Sequence, residues 1–330
     1  MTSQYARTTS RAFTLIEMLT VIGILAIVIA IIIPAINGAR NAARKTDTRT
    51  QMTGITQAVA AFQIDNRRLP GYFSPKQMGS ALNAGRGFTQ MENMMLDLVG
   101  GVATVSSAST ITVGPGTTPQ EQVFVDVAVM GSTKQSSTGT ISKSYLTFDQ
   151  KRFVAQTTAG RVTGGAVEHG LFPTLVDSFG QPILAWIGEE IPSAGVFAHI
   201  DSNAAGPNGA RFYQAQNAGF LNATSLGKAK QNQTYAASGS VISGDNSLLS
   251  VQKSMEALLG NASQPDPAAP AATPRPLAAR APLVLHSAGL DGVYVGKLDK
   301  GARQGFVPYQ PNADPFGGAL FDDIIVTGGN

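Results

Sequence analysis

The sequence predicts an α+β protein. One long N-terminal helix, apolar in its first half and amphipathic in its second, packs on an antiparallel β-sheet head with large insertions. Three observations predict it. In residues 13–36, 19 of 24 positions are apolar. Residues 37–68 have few helix breakers and place Met52, Ile55, Val59 and Phe62 at three- and four-residue spacing, one apolar helical face. Beyond residue 69 come short apolar segments separated by Gly, Ser and Thr, the pattern of strands joined by turns.

The composition supplies a core and excludes several chemistries. Of 330 residues, 43% are hydrophobic and only 14% charged, which is ample apolar material for a head of this length. There is no cysteine, so disulfides, zinc–thiolate sites and cysteine nucleophiles are excluded. The formal charge of +3 is unevenly placed. Residues 1–68 hold 8 basic and 3 acidic side chains, leaving 16 basic and 18 acidic for the rest. A slightly acidic head argues against a nucleic-acid partner.

As a helix, residues 13–36 span roughly 36 Å, enough to cross a bilayer with some tilt. Arg7 and Arg11 precede the run with no acid before Glu17, which favours a cytoplasmic N-terminus; Arg40, Arg44, Lys45 and Arg49 on the far side oppose that bias. A secretory signal peptide would close on a small-x-small cleavage site, whereas this run continues into Pro34-Ala35-Ile36-Asn37-Gly38-Ala39. A plain signal anchor accounts for the length but not for Glu17, since a carboxylate inside an apolar run is costly unless paired. It asks for a cation.

The stretch Arg11-Ala12-Phe13-Thr14-Leu15-Ile16-Glu17-Met18-Leu19 closely resembles the leader and cleavage site of type IV pilins and type II secretion pseudopilins. The resemblance implies cleavage between Ala12 and Phe13 by a prepilin peptidase and N-methylation of Phe13. Ala12 stands where that family usually has Gly. Cleavage creates an ammonium at Phe13 about one helical turn from Glu17, or within reach of Glu17 on a neighbouring subunit, and so offsets burial of the carboxylate. Pro34 falls at the twenty-second position after the cut, where the family commonly carries proline; a kink or local melting is expected there. Asp65-Asn66-Arg67-Arg68-Leu69-Pro70-Gly71, which ends the helix, resembles the family's "DNGRYP" boundary. The helix side bearing Arg40, Arg44, Asp47, Gln51 and Gln57 reads as a solvated face or a filament contact.

In the head, Thr89 and Glu92 form a capping box for a short helix through Val99, stopped by Gly100-Gly101. Gln122 to Met130 alternates as a strand, and Thr110–Val113 and Ile141–Phe148 read as strands too. The stretch is longer than the compact pseudopilin head needs, so the resemblance implies that 101–170 is an inserted β-rich region. Asp177-Ser178-Phe179-Gly180-Gln181-Pro182-Ile183-Leu184-Ala185-Trp186 is similar to the family's "DPWGNPYxY" turn and strand, with Trp186 in the core rather than serving as a ligand platform. A second insertion, 191–282, holds a helix from Leu248 to Leu259, capped by Ser247 and closed by Gly260. Six prolines between Pro265 and Pro282 then predict a semi-extended, mobile linker or surface loop. Leu283 to Gly292 and Phe321-Asp322-Asp323-Ile324 resemble the "SAGPDGxxGTxDDI" ending of major pseudopilins. That resemblance implies a calcium loop with Asp291, Asp322 and Asp323 as ligands; the alternative is a Gly-rich turn with surface aspartates.

The chain thus divides into a leader (1–12), a membrane helix (13–36), its amphipathic continuation (37–68) and a periplasmic or extracellular head (69–330). No G-x-S-x-G, Walker A or G-x-G-x-x-G motif in a fitting context is present, and His169, His199 and His286 lack metal-ligand spacing, so no catalytic residue is assigned. The resemblance implies a structural subunit of a type II secretion pseudopilus or type IV pilus, anchored in the bacterial inner membrane. It would polymerise with its own kind and with other pseudopilins after prepilin peptidase processing, on an inner-membrane platform driven by a motor ATPase. The alternative is a pilin-anchored adhesin or DNA-uptake subunit that displays the inserted head as a binding module.

Overall fold

The computed structural model describes residues 14–131, 144–146, 150–155, 167–189, 212–221, 240, 242, 248–261, 263, 276, 278–290, 292–295 and 323–329. Helix α1 (Leu15–Asn66) is continuous over 52 residues. It runs through Pro34 without interruption, so the local melting expected there is absent. Proline removes one backbone donor, and the i→i−4 bonds on both sides of it still hold the helix in an apolar run. The chain divides into two units, Met1–Arg44 and Lys45–Asn330. In the first, the large apolar side chains from Leu15 to Ile36 are exposed, with no core of their own.

In the second unit, Met52, Ile55, Val59 and Phe62 are buried, as their spacing predicts. The helix stops where Arg67 turns into the left-handed region (φ 53°) and its N–H donates to Gln63 O at 2.8 Å. Arg67 occupies the place of Gly in the quoted boundary pattern, the residue that such a cap favours. Arg68 then forks onto Asp97 (2.7 and 3.0 Å), whose Oδ2 also accepts the Gly71 N–H.

Three short helices follow, α2 (Pro75–Met78), α3 (Ala81–Arg86) and α4 (Gln90–Leu98). The capping box of α4 forms as predicted: Thr89 N–H donates to Glu92 Oε2 at 2.9 Å and Glu92 N–H to Thr89 Oγ1 at 3.3 Å. Strands β1 (Val102–Ala103), β2 (Thr110–Val113) and β3 (Val123–Asp126) form an antiparallel sheet in the order β1-β3-β2. The strand expected from Gln122 to Met130 is therefore shorter. Its partners run out at Val102 and Thr110, and Asp126 Oδ1 accepts the Ala128 N–H (3.1 Å), turning Val127–Val129 into a 3₁₀ turn. Of the strand expected over 141–148, residues 144–146 are described and are not in a strand; the amides of Tyr145 and Leu146 both donate to Leu98 O at the end of α4.

Strands β4 (Phe153–Ala155) and β5 (Pro173–Leu175) pair antiparallel on either side of α5 (Val167–Leu171). The central sheet is built from β6 (Leu184–Ile187), then, after α6 (Ala218–Leu221) and α7 (Leu248–Leu259), from β7 (Leu283–Ser287) and β8 (Ile324–Gly328), in the antiparallel order β6-β7-β8.

Alternation along these strands sends side chains to two cores. Ile183, Ala185, Ile187, Leu283, Leu285 and Ile324 pack with the α1 stripe. Leu184, Trp186 and Val284 pack with Phe212, Phe220, Leu221, Ile242, Met255, Leu258 and Leu259. The helix expected at Leu248–Leu259 is thus part of the second core; its expected cap Ser247 lies outside the described residues. Most of the proline-rich stretch also lies outside them. Its described end, 278–282, is fastened rather than mobile: Asn261 N–H donates to Ala278 O (2.8 Å), Arg280 N–H to Leu259 O (2.7 Å) and Gly188 N–H to Pro282 O (3.2 Å).

The architecture is α+β and pilin-like: a long apolar N-terminal helix and a head of small antiparallel sheets. Trp186 is fully buried in the second core. Trp186→Ala should cost about 3–5 kcal/mol in urea unfolding of the detergent-solubilised chain. A loss below about 1 kcal/mol would remove Trp186 from the packed interior.

Candidate functional site

Two regions carry the residues singled out from the sequence: the start of α1, and the turns that close the head around β6 and β7. Ala12 and Phe13 lie outside the described residues. Glu17, in the first turn of α1, is held by Thr14 through three contacts. Thr14 N–H and Thr14 Oγ1–H both donate to Glu17 Oε2, at 2.9 and 2.7 Å, and Glu17 N–H reaches back to Thr14 Oγ1 at 3.3 Å. This is a reciprocal capping box, and it places the carboxylate at the positive end of the helix dipole. Thr14 is not among the partners expected for Glu17, although the T-x-x-E signature of a capping box stands in the sequence. From Thr14 to Arg44, Glu17 is the only acidic residue. The helix from Leu15 is long and apolar enough to cross a membrane.

In the head, Asp177 organises the turn that leads into β6. Its Oδ1 accepts the amides of Phe179 (2.8 Å) and Gln181 (2.9 Å), its Oδ2 accepts Ser287 Oγ–H (2.5 Å), and Gly180, at φ 83°, donates to Asp177 O. Burial pushes the Asp177 carboxyl above the usual carboxylate range, against the pull of Ser287 and the three amides. Ser178 fastens this turn to α1: its N–H donates to Thr48 Oγ1 (3.2 Å) and its hydroxyl to Asp47 Oδ2 (2.7 Å). Arg152 donates to Ser178 Oγ (3.0 Å) and Gln51 Oε1 (2.5 Å) and pairs with Asp47. Asp47 and Gln51 are therefore not merely a solvated helix face; they hold the Asp177 turn and the start of β4. The hydroxyl of Ser178 and then the Arg152 guanidinium lower the Asp47 pKa.

The C-terminal loop brings one of the three expected aspartates into view. Asp323 is buried, and its Oδ2 accepts the Val295 N–H (2.8 Å) and pairs with His286 Nε2 (2.8 Å). Asp323 Oδ1 and His286 Nδ1 are buried without a partner among the described residues. Asp291 and Asp322 lie outside the described residues. Among the described residues no three His, Asp or Glu side chains gather as a metal site. Tyr294 closes the loop, its hydroxyl donating to Pro182 O; burial pushes this phenol well above its usual range and keeps it protonated. His169, also buried, accepts the Gly114 N–H on Nε2 at 3.0 Å and lies 3.2 Å from Arg86 O through Nδ1, a structural role.

Residues 7–33 match the prokaryotic N-terminal methylation motif, a span that takes in residues 7–12 of the leader, Phe13 and Glu17. No curated protein and no solved structure matches the chain. The match supports a prepilin-type signal and, with the apolar helix, a membrane anchor.

The Asp47 arrangement has a signed pH dependence. Its folded pKa lies below the ordinary value of 3.8, so its stabilisation is complete above that value and is lost as pH falls through the lower folded pKa. Asp177 has the opposite sign: its contribution belongs to the acid side and fades as pH rises from 3.8 through its raised folded pKa. Asp47→Asn should therefore cost about 0.5–1 kcal/mol near neutrality, a half-exposed pair being screened by solvent, with the penalty shrinking below pH ~4. Stability of wild type and variant compared at each pH checks this, and a penalty constant from acid to neutral pH would contradict it.

Proposed function

We propose that this chain, which carries a prepilin-type N-terminal signal, is a structural subunit of a type II secretion pseudopilus or type IV pilus. The observation that carries the reading is the start of α1. The helix begins at Leu15, two residues beyond the Ala12–Phe13 bond, and Thr14 caps it by holding the carboxylate of Glu17.

Arg7 and Arg11 keep the leader in the cytoplasm, where a prepilin peptidase cuts before Phe13 and N-methylates the new terminus. The apolar helix stays in the inner membrane with the head on the periplasmic side. Cleavage supplies the positive charge that the Glu17 carboxylate lacks. A Phe13 ammonium, from the same chain or a neighbour, can then replace the Thr14 donors when the exposed apolar helices pack together, fixing their axial register. A motor ATPase and an inner-membrane platform supply the work and the template. The reading assigns no catalytic residue.

The binding-module alternative has less support. The described residues of 212–260 cover the second face of the central sheet, so this part of the head is engaged in folding.

Co-expression with an active prepilin peptidase should yield a chain that begins at N-methylated Phe13 by intact-mass and N-terminal analysis. Glu17→Gln should be processed and anchored but fail to enter filaments. Recovery of only the uncut chain would reject the reading.

For the C-terminal loop, we propose that Asp323, through its unpartnered Oδ1, joins Asp291 and Asp322 in holding calcium, with loop carbonyls completing the six to eight oxygens it takes. The melting temperature should then fall on adding a chelator and recover with excess calcium. An unchanged value would leave the His286–Asp323 pair and packing as what holds the loop.

A further inference from the structure

The first unit ends in a stretch that neither the apolar anchor nor the capped terminus accounts for, Asn37-Gly38-Ala39-Arg40-Asn41-Ala42-Ala43-Arg44. All of it lies within α1. At about 100° per residue, Asn37, Arg40, Asn41 and Arg44 share one helix face, and Gly38, Ala39, Ala42 and Ala43 occupy the rest. Asn37, Arg40 and Arg44 are exposed and Asn41 partly so. None of the four has a side-chain hydrogen bond or ion pair among the described residues. The face offers two guanidinium forks and two amides, all able to donate, and no acid.

We infer that this face binds the phosphates of anionic lipids in the leaflet on the head side of the membrane. The inference rests on the anchored orientation proposed above. If the hydrocarbon begins near Leu15, about 20 residues of helix cross it, and it ends near Ala35. Arg40 then lies about 8 Å beyond that edge and Arg44 about 14 Å, against a headgroup layer of about 5–8 Å. Side chains on a helix lean toward its N-terminus, which here is toward the bilayer, and an arginine stem extends the guanidinium back by several ångströms. Both forks therefore reach the phosphate layer, with Asn37 at its inner edge. A planar guanidinium binds phosphate oxygens in pairs, and a cation at the surface of an anionic leaflet is attracted to it. The same region of a second copy is a poorer partner. From Thr14 to Arg44 it carries only Glu17, at the other end of the helix, and Asp47 is already paired with Arg152.

The test uses the full chain in vesicles of phosphatidylcholine with a minority of phosphatidylglycerol. Resistance to alkaline extraction is scored first, because a chain that is extracted overturns the anchor and this inference together. For an inserted chain, native mass spectrometry of gently released protein reads the retained lipids. Wild type should retain phosphatidylglycerol over phosphatidylcholine about five-fold beyond the bulk ratio, equivalent to about 1 kcal/mol. Arg40→Gln with Arg44→Gln should bring that ratio near the bulk value while extraction resistance is unchanged. Arg7→Gln with Arg11→Gln, at the opposite end of the apolar run, should keep most of it. Equal ratios in wild type and R40Q/R44Q, with both inserted, would overturn the lipid site and leave the anchor standing. So would cross-links from positions 40 and 44 to acidic residues of another copy without lipid selectivity.

Discussion

The structure of the head depends on two sheet strands, β6 and β7, that have no solvent face. Every residue of β6 and β7 is buried, because consecutive side chains alternate between two different apolar layers. On one side lies the α1 stripe of Met52, Ile55, Val59 and Phe62; on the other lie Phe212, Phe220, Met255 and Leu259. A three-stranded sheet covered on one face alone would expose Leu184, Trp186 and Val284 to water, an apolar patch large enough to drive association. The described parts of the insertion, 212–221 and 248–261, therefore work as a structural layer of the head.

Apolar layers fix what is buried but only loosely fix where turns stand, and here the positioning falls to a few polar groups. Asp177 gathers two backbone amides of its own turn and the hydroxyl of Ser287 at the end of β7, tying the entry of β6 to its neighbour. Ser178, one residue on, joins the same turn to Thr48 and Asp47 of α1, and Arg152 brings the start of β4 to that point. The same logic applies at the edge of β6. Gln216 and Asn217 side-chain amides donate to the carbonyls of Ile187 and Ala185 (2.9 and 2.8 Å), occupying acceptors that an extra strand would need. In a protein proposed to assemble through its N-terminal helix, a capped sheet edge removes a competing mode of association.

What the sequence disclosed follows the range of the interactions. The α1 stripe, the Thr89–Glu92 box, the Asp177 turn and the burial of Trp186 all depend on residues close in the chain or on simple periodicity, and each stands as expected. The alternation of Val127 and Val129 promised more strand than forms, because a strand needs partners and β1 and β2 begin no later than the registers of Val125 and Asp126. Arg152 with Asp47 spans 105 positions, and no local pattern marks such a pair. The second layer was hidden for a related reason: Phe212 lies outside any helix or strand and Phe220 sits in the four-residue α6, so no period marks them as core. Thr14 is different in kind. Its signal, T-x-x-E at the start of the apolar run, is local and legible.

The Thr14–Glu17 box bears on how an acidic residue persists within an apolar helix before any partner subunit is present. A bare carboxylate there would be costly to insert. Three features of the chain lower that cost at once: two donors from Thr14, the exposed amides of the helix terminus, and the positive end of the helix dipole. None of them requires cleavage. In the proposed assembly the new ammonium at Phe13 would then enter as a competitor for a carboxylate that is already satisfied, so the free energy available for register is the difference between two sets of donors rather than the whole strength of an ion pair. That difference is directional, because the capping donors stay with their own helix while an ammonium can come from the next.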